Sequence, residues 1–161
     1  NTVRDIMVPW EKVSALELRT PLDRILEVVR EGAYTRMPVY DADRNNIVGV
    51  VNTKDLFFLF SVKGAVILLD ALYDATFLSP DDPVSKALTA FKRSKRPLAV
   101  VKDAAGTVLG ILTLEDVLEE IVGDIEDEHD DPNRKSHLRR VLRKTGPGHL
   151  RPLSPKDRPR G

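Results

Sequence analysis

A chain of 161 residues with 42% apolar and 31% charged side chains has the balance of a globular protein, one domain or two small halves sharing a core, and not of a disordered one. It contains no cysteine, which excludes disulfides, thiolate nucleophiles and cysteine metal sites, and no run of roughly eighteen apolar residues that could span a bilayer. The formal net charge of zero hides a division: residues 1–131 hold 15 Lys and Arg against 24 Asp and Glu, while residues 132–161 hold 10 against 1.

The chain opens on Asn1 with no secretory signal pattern, and is read as a segment of something longer. Trp10, the only tryptophan, is expected to be partly buried over the core. Between residues 22 and 31, Leu22, Ile25, Leu26 and Val29 recur at helical spacing. Thr20-Pro21 precedes them as a cap residue followed by proline at the first helical position, and Gly32 is the C-terminal stop. MPVY (37–40) is a short strand that runs into turn formers from Asp41 to Asn46, and IVGVVN (47–52) is a second strand leading into a helix.

The same order then repeats. PLDRILEVVR (21–30) falls on PVSKALTAFK (83–92) at a shift of 62, MPVY on LAVV (98–101) at a shift of 61, and IVGVVNTKDL (47–56) on VLGILTLEDV (108–117), also at 61. Strands that are apolar at nearly every position are expected to be buried on both faces. The fold class is therefore α/β, built from two repeats, each too small to bury its own sheet and so packed against the other. The boundaries expected are 1–64 for the first repeat with its N-terminal segment, 65–129 for the second, and 130–161 for a basic, unstructured tail.

Chemistry concentrates where each second strand hands over to a helix. Thr113 offers a hydroxyl, the first N–H groups of the helix are unpaired, and the Asp116 carboxylate sits one turn on. Helix N-termini favour phosphate, and a carboxylate at this spacing accepts from a ribose diol, so the junction suits a ribose-phosphate. The competing reading is an ordinary N-cap with an acid favouring the helix dipole.

The repeated unit resembles a CBS motif, and the pair resembles the CBS (Bateman) module of the CorC/HlyC hemolysin-like family, related to the CNNM magnesium transporters. The residues that carry this are VRDIMVPW (3–10), GAYTRMPVYD (32–41), IVGVVNTKDL, FLSPDD (77–82) and GILTLEDVLEEIVGDIEDEHD (110–130). The resemblance implies tandem β-α-β-β-α repeats packed as a pseudo-two-fold pair, no catalytic residues, and a regulatory module. That module would bind an adenine nucleotide, ATP or AMP, with Mg2+ carried on the nucleotide phosphates. It further implies a homodimer formed through CBS pairs, an attached transmembrane domain of the parent chain, a place at the cytoplasmic face of the membrane, and a role in magnesium and cobalt efflux or ion homeostasis.

Carried over residue by residue, Thr113 and Asp116 would hold ribose and phosphate with Glu115 nearby. Tyr34, Arg36 and Pro38 would flank the adenine or reach the phosphates, and Val8 lies in the segment that approaches the base. A weaker second site would involve Asn52, Asp55, Phe77 and Pro97. Asn52 stands where a Thr or Ser is usual, Val8 where many relatives have threonine, and Asp103-Ala104-Ala105-Gly106 where an acidic-aromatic turn is usual. The Val8 and Asn52 departures are the best support for the alternative, a ligand-free CBS dimerisation platform.

The acidic run from Glu115 to Asp131, with ten carboxylates, reads as a solvated helix face and not as a metal cage. His129, His137 and His149 are too widely spaced for a metal site. The basic tail has no aromatic residues among its charges, so no nucleic-acid partner is expected. An enzyme is not expected either: no nucleophile–base pair or glycine-rich phosphate loop is visible.

Overall fold

The computed structural model describes residues 1–127. The first repeat contains β2 (Leu16–Glu17), α2 (Leu22–Glu31), β3 (Arg36–Tyr40), β4 (Ile47–Asn52) and α3 (Thr53–Lys63), preceded by α1 (Val3–Ile6), β1 (Val8–Pro9) and a single 3-10 turn, Trp10–Lys12. A short α4 (Leu68–Ala71) leads into the second: β5 (Thr76–Leu78), α5 (Val84–Ser94), β6 (Leu98–Lys102), β7 (Val108–Thr113) and α6 (Leu114–Asp127). In each repeat the leading strand runs parallel to the next, and that one pairs antiparallel with the third.

Continuous apolar strands form because each face has a different core to enter. On β6, Ala99 and Val101 join Leu88, Phe91 and Val117 beneath the helices, while Leu98 and Val100 face a cluster that also holds Val50 of the first repeat. On β3, Met37 and Val39 enter the first repeat's own cluster with Ile25 and Leu56. Trp10 is buried in the cluster between the repeats, under the guanidinium of Arg44 at 4.7 Å from its ring centroid. The turn of the first repeat also reaches across, Asn45 Oδ1 accepting from the Val108 N–H at 2.9 Å.

This alternation corrects the alignment of the first strands. Met37 is equivalent to Ala99, not Leu98, because each faces the helices of its own repeat. The registers agree, with Arg36 opposite Asn52 and Leu98 opposite Thr113. The shift is therefore 62 from the helix through the first strand, and the missing residue falls in the hairpin turn. A one-residue slip in a strand exchanges every inward side chain for an outward one, so the distinction is not cosmetic. It makes Tyr34 the counterpart of Arg96, and Arg36 the counterpart of Leu98.

The helix start expected after Thr20 also differs by one residue, and the second repeat matches the first in this. Pro21 and Pro83 themselves occupy the N-cap positions. The Thr20 hydroxyl donates to the Glu17 carbonyl at 2.6 Å, and Asp82 accepts from the Ser79 N–H at 2.9 Å, so neither caps its helix. Gly32 does terminate α2, in the left-handed conformation at φ 62°.

What periodicity did not announce is an exchange of lead-in segments. β1 pairs with β7, Val8 opposite Ile111, and Val3 is buried in the second repeat's core. In return Leu68 enters the first repeat's core, and Tyr73 forms a two-way bridge with Val50 at 2.9 and 3.0 Å. Val8 and Tyr73 are thus counterparts, each laid on the other repeat's third strand.

Candidate functional site

The junction between β7 and α6 is built by a reciprocal cap. Thr113 Oγ1 accepts from the Asp116 N–H, and Asp116 Oδ2 accepts from the Thr113 N–H, both at 3.2 Å. The neighbouring Leu114 N–H donates to the Pro97 carbonyl at 2.9 Å, which fixes the start of β6 against the start of α6. This is the capping arrangement, but it does not use up the pair. A threonine hydroxyl that accepts one bond still has its own proton to donate, and a carboxylate has two oxygens with about four lone-pair sites. Cap and ligand-holding are therefore compatible at Thr113 and Asp116, both half-buried, with Glu115 exposed beside them.

Val8 comes to this junction through β1, two residues from Thr113 along β7. The first repeat's junction is assembled differently. Asn52 caps α3 with its side-chain oxygen, accepting from the Lys54 N–H at 2.8 Å, and Asp55 is exposed one turn in. The Thr53 hydroxyl donates to the carbonyls of Tyr34 and Thr35, which pins the strand entry while the Tyr34 ring stays about half exposed. Pro38 is buried, paired with Val50. Phe77 pairs with Val100 and lies under the Lys102 ammonium, 5.3 Å from its ring centroid, toward the end of β6 opposite Pro97.

Tyr73 is the residue that sequence reasoning passed over. Arg96 stacks on its ring, 3.9 Å from guanidinium carbon to ring centroid. Its hydroxyl is buried and lacks a well-formed hydrogen bond, although the Arg36 guanidinium lies beside it. Burial raises the phenol's pKa above its usual value of 10.0, opposed by the positive charges of Arg36 and Arg96 and assisted by Asp55. Tyr73 therefore gathers one arginine from each repeat. A lone tyrosine between helix and strand carries no periodic signal that could have pointed to it.

Among the described residues no three His, Asp or Glu side chains group to hold a metal ion, and no helix is long and apolar enough to cross a membrane. The histidines and basic tail singled out from the sequence lie outside the described residues.

Comparison with known proteins agrees with this architecture. The model of the CBS domain family matches residues 3–61 and 71–123. The magnesium and cobalt efflux protein CorC of Escherichia coli (strain K12) is 38% identical over 130 residues, covering 80% of this chain and 44% of that protein. The chain thus spans less than half the length of that curated relative. A solved CBS domain of the bacterial CNNM/CorC family Mg2+ transporter, in complex with ATP, is similar at 35% identity and a TM-score of 0.69, covering 76% of this chain and 88% of that one. A CBS-domain pair from Klebsiella pneumoniae with bound AMP is similar at 27% identity and a TM-score of 0.68, covering 75% and 98%.

Proposed function

The chain belongs to the CBS-domain family, as a CBS pair of the CorC/CNNM kind, and from that premise we propose that it is a regulatory module whose occupancy by an adenine nucleotide is conveyed to a transmembrane partner. ATP, with Mg2+ carried on its phosphates, is the ligand this reading favours. The parent process would be magnesium and cobalt efflux or ion homeostasis, with the module at the cytoplasmic face. The observation that carries the reading is the β7–α6 junction, where a satisfied cap retains a free hydroxyl proton and carboxylate capacity beside an exchanged strand.

In this reading the ribose diol is held by Asp116 and Thr113, with Glu115 at the rim. The base lies toward Val8, and the phosphates run toward Arg36. The pseudo-two-fold relation supports adding Tyr34, since its counterpart Arg96 lies on Tyr73, the counterpart of Val8. Pro38 contributes a wall at the interface of the repeats. The nearby groups are arginines and isolated carboxylates, so a magnesium ion would arrive with the triphosphate and keep several waters. Ligand contacts from both repeats and an exchanged strand would favour one arrangement of the pair. A ligand shifts an equilibrium only by its difference in affinity for the two states.

The module is read as a binding unit and not an enzyme, and as one that pairs with a second copy. Exposed Leu118, Val122 and Ile125 recur along one face of α6, and Phe57, Phe58 and Val62 are exposed on its counterpart α3. These same faces support the second reading, a dimerisation platform without a ligand.

Calorimetric titration and thermal unfolding with ATP, with and without Mg2+, and with AMP, test the proposal beside Asp116→Ala. A ligand at a hundred times its dissociation constant adds about 2.7 kcal/mol, on the order of 3–6 °C for a domain of this size. Saturable binding that Asp116→Ala loses is expected. Flat titrations on folded wild-type protein would leave Thr113 and Asp116 as caps and make the platform the better account.

A further inference from the structure

We infer that Arg36 and Arg96, one from each repeat and gathered by Tyr73, form a two-arginine clamp for the terminal phosphates of a single polyphosphate ligand. This rests on the nucleotide reading above and deepens it, since it assigns Arg96 and makes the site discriminate by phosphate number.

The body of the chain is acidic, yet at this point two guanidinium groups converge on one side chain, and neither has an ion-pair partner among the described residues. Asp55 also acts on this phenol, but two cations against one leave the spot net positive, and an anion between the guanidinium groups would relieve their repulsion. Arg36 sits at the entry of β3, in the position that Leu98 fills with an apolar side chain in the second repeat. The pseudo-symmetry therefore did not require a cation there. Arg96 lies at the entry of β6, held flat on the Tyr73 ring, a stacking geometry that fixes a guanidinium while leaving its N–H edge free to donate. The two arginines thus reach the phenol from opposite repeats.

The ring also argues against a second nucleotide at the first junction. There Arg96 lies on the Tyr73 ring, in the places equivalent to Tyr34 and Val8 at the other junction. A nucleotide whose ribose is at Thr113 and Asp116 would extend its phosphates past Arg36 toward Arg96. In this arrangement the single phosphate of AMP meets Arg36 first, whereas ATP has two further phosphates to offer Arg96. Bidentate guanidinium–phosphate bonds are among the stronger charge-assisted contacts.

Arg96 is exposed, so Arg96→Ala should fold normally, which a melting curve checks. Titrations of wild type, Arg96→Ala and Arg96→Lys with ATP and with AMP carry the test. The expected result is one ATP per chain in the wild type, and ATP bound about ten-fold or more weakly by Arg96→Ala. AMP affinity should stay within about two-fold, and Arg96→Lys should fall between. Loss of ATP and AMP to the same degree, no change in ATP, or two ATP per chain would overturn the clamp. Wild type that binds neither nucleotide would instead sink the underlying site reading.

Discussion

At the scale of single residues, the junction shows how one pair of side chains can cap a helix and still keep donor and acceptor capacity for a ligand. Thr113 and Asp116 satisfy each other's backbone N–H groups, which an N-cap threonine ordinarily does for about 0.5–2 kcal/mol. Tyr73 is the opposite case, a buried hydroxyl that lacks a well-formed hydrogen bond. Removing an unpaired buried hydroxyl restores its desolvation cost, so Tyr73→Phe should unfold at an equal or slightly higher temperature near neutral pH, by up to about 1 kcal/mol. The difference should widen in alkali. Because the folded phenol has its pKa raised above 10.0, its contribution is fully present below that pH. It is lost as pH rises from 10.0 through the folded value, where only the unfolded chain ionises freely. Denaturant titrations of both proteins from pH 7 to 11 check this. A variant that loses stability in alkali as steeply as the wild type would contradict it.

At the scale of elements, the sequence made the repeats, hairpins and helix stops legible because each carries a periodic or turn signal of several residues. It aligned Gly49 on Gly110 without showing what the two glycines are for. A Cβ at Gly110 would overlap the Val8 carbonyl oxygen, and one at Gly49 would lie 2.7 Å from the Tyr73 carbonyl oxygen. Both positions lie under the exchanged lead-in segments, and β1, only two residues long, has no periodicity to read. The hairpin turn likewise hid the missing residue, so MPVY fell one position out of register and Arg96 could not be matched with Tyr34. Gly110→Ala should therefore cost about 1–3 kcal/mol or more, since backbone cannot yield as a side chain would. By displacing Val8 it should also weaken nucleotide binding. Thermal melts and an ATP titration report the two effects. Unchanged stability would mean that β1 can lift off β7 freely.

At the scale of the whole molecule, the pseudo-two-fold pair presents two outer helices that carry apolar side chains into solvent. Leu118, Val122 and Ile125 lie at i, i+4 and i+7 on α6, which is one stripe of a helix, and Val122 is 52% exposed. Phe57 of α3 is the counterpart of Leu118, so both repeats bring an apolar residue to equivalent places. A second copy related by a two-fold axis would cover such residues and close the assembly without leaving a free face. A charged residue in the centre of such a contact would lose its hydration without a partner. Val122→Asp should accordingly convert a dimer to a monomer in sedimentation equilibrium at micromolar concentration. The monomer should melt at a similar temperature once concentration is low enough to dissociate the wild type. Wild type that sediments as a monomer at every concentration would remove the dimer, while ATP binding by that monomer would leave the nucleotide site intact. The two proposals are thus separable by experiment, the site at the strand–helix junctions and the contact on the outer helices.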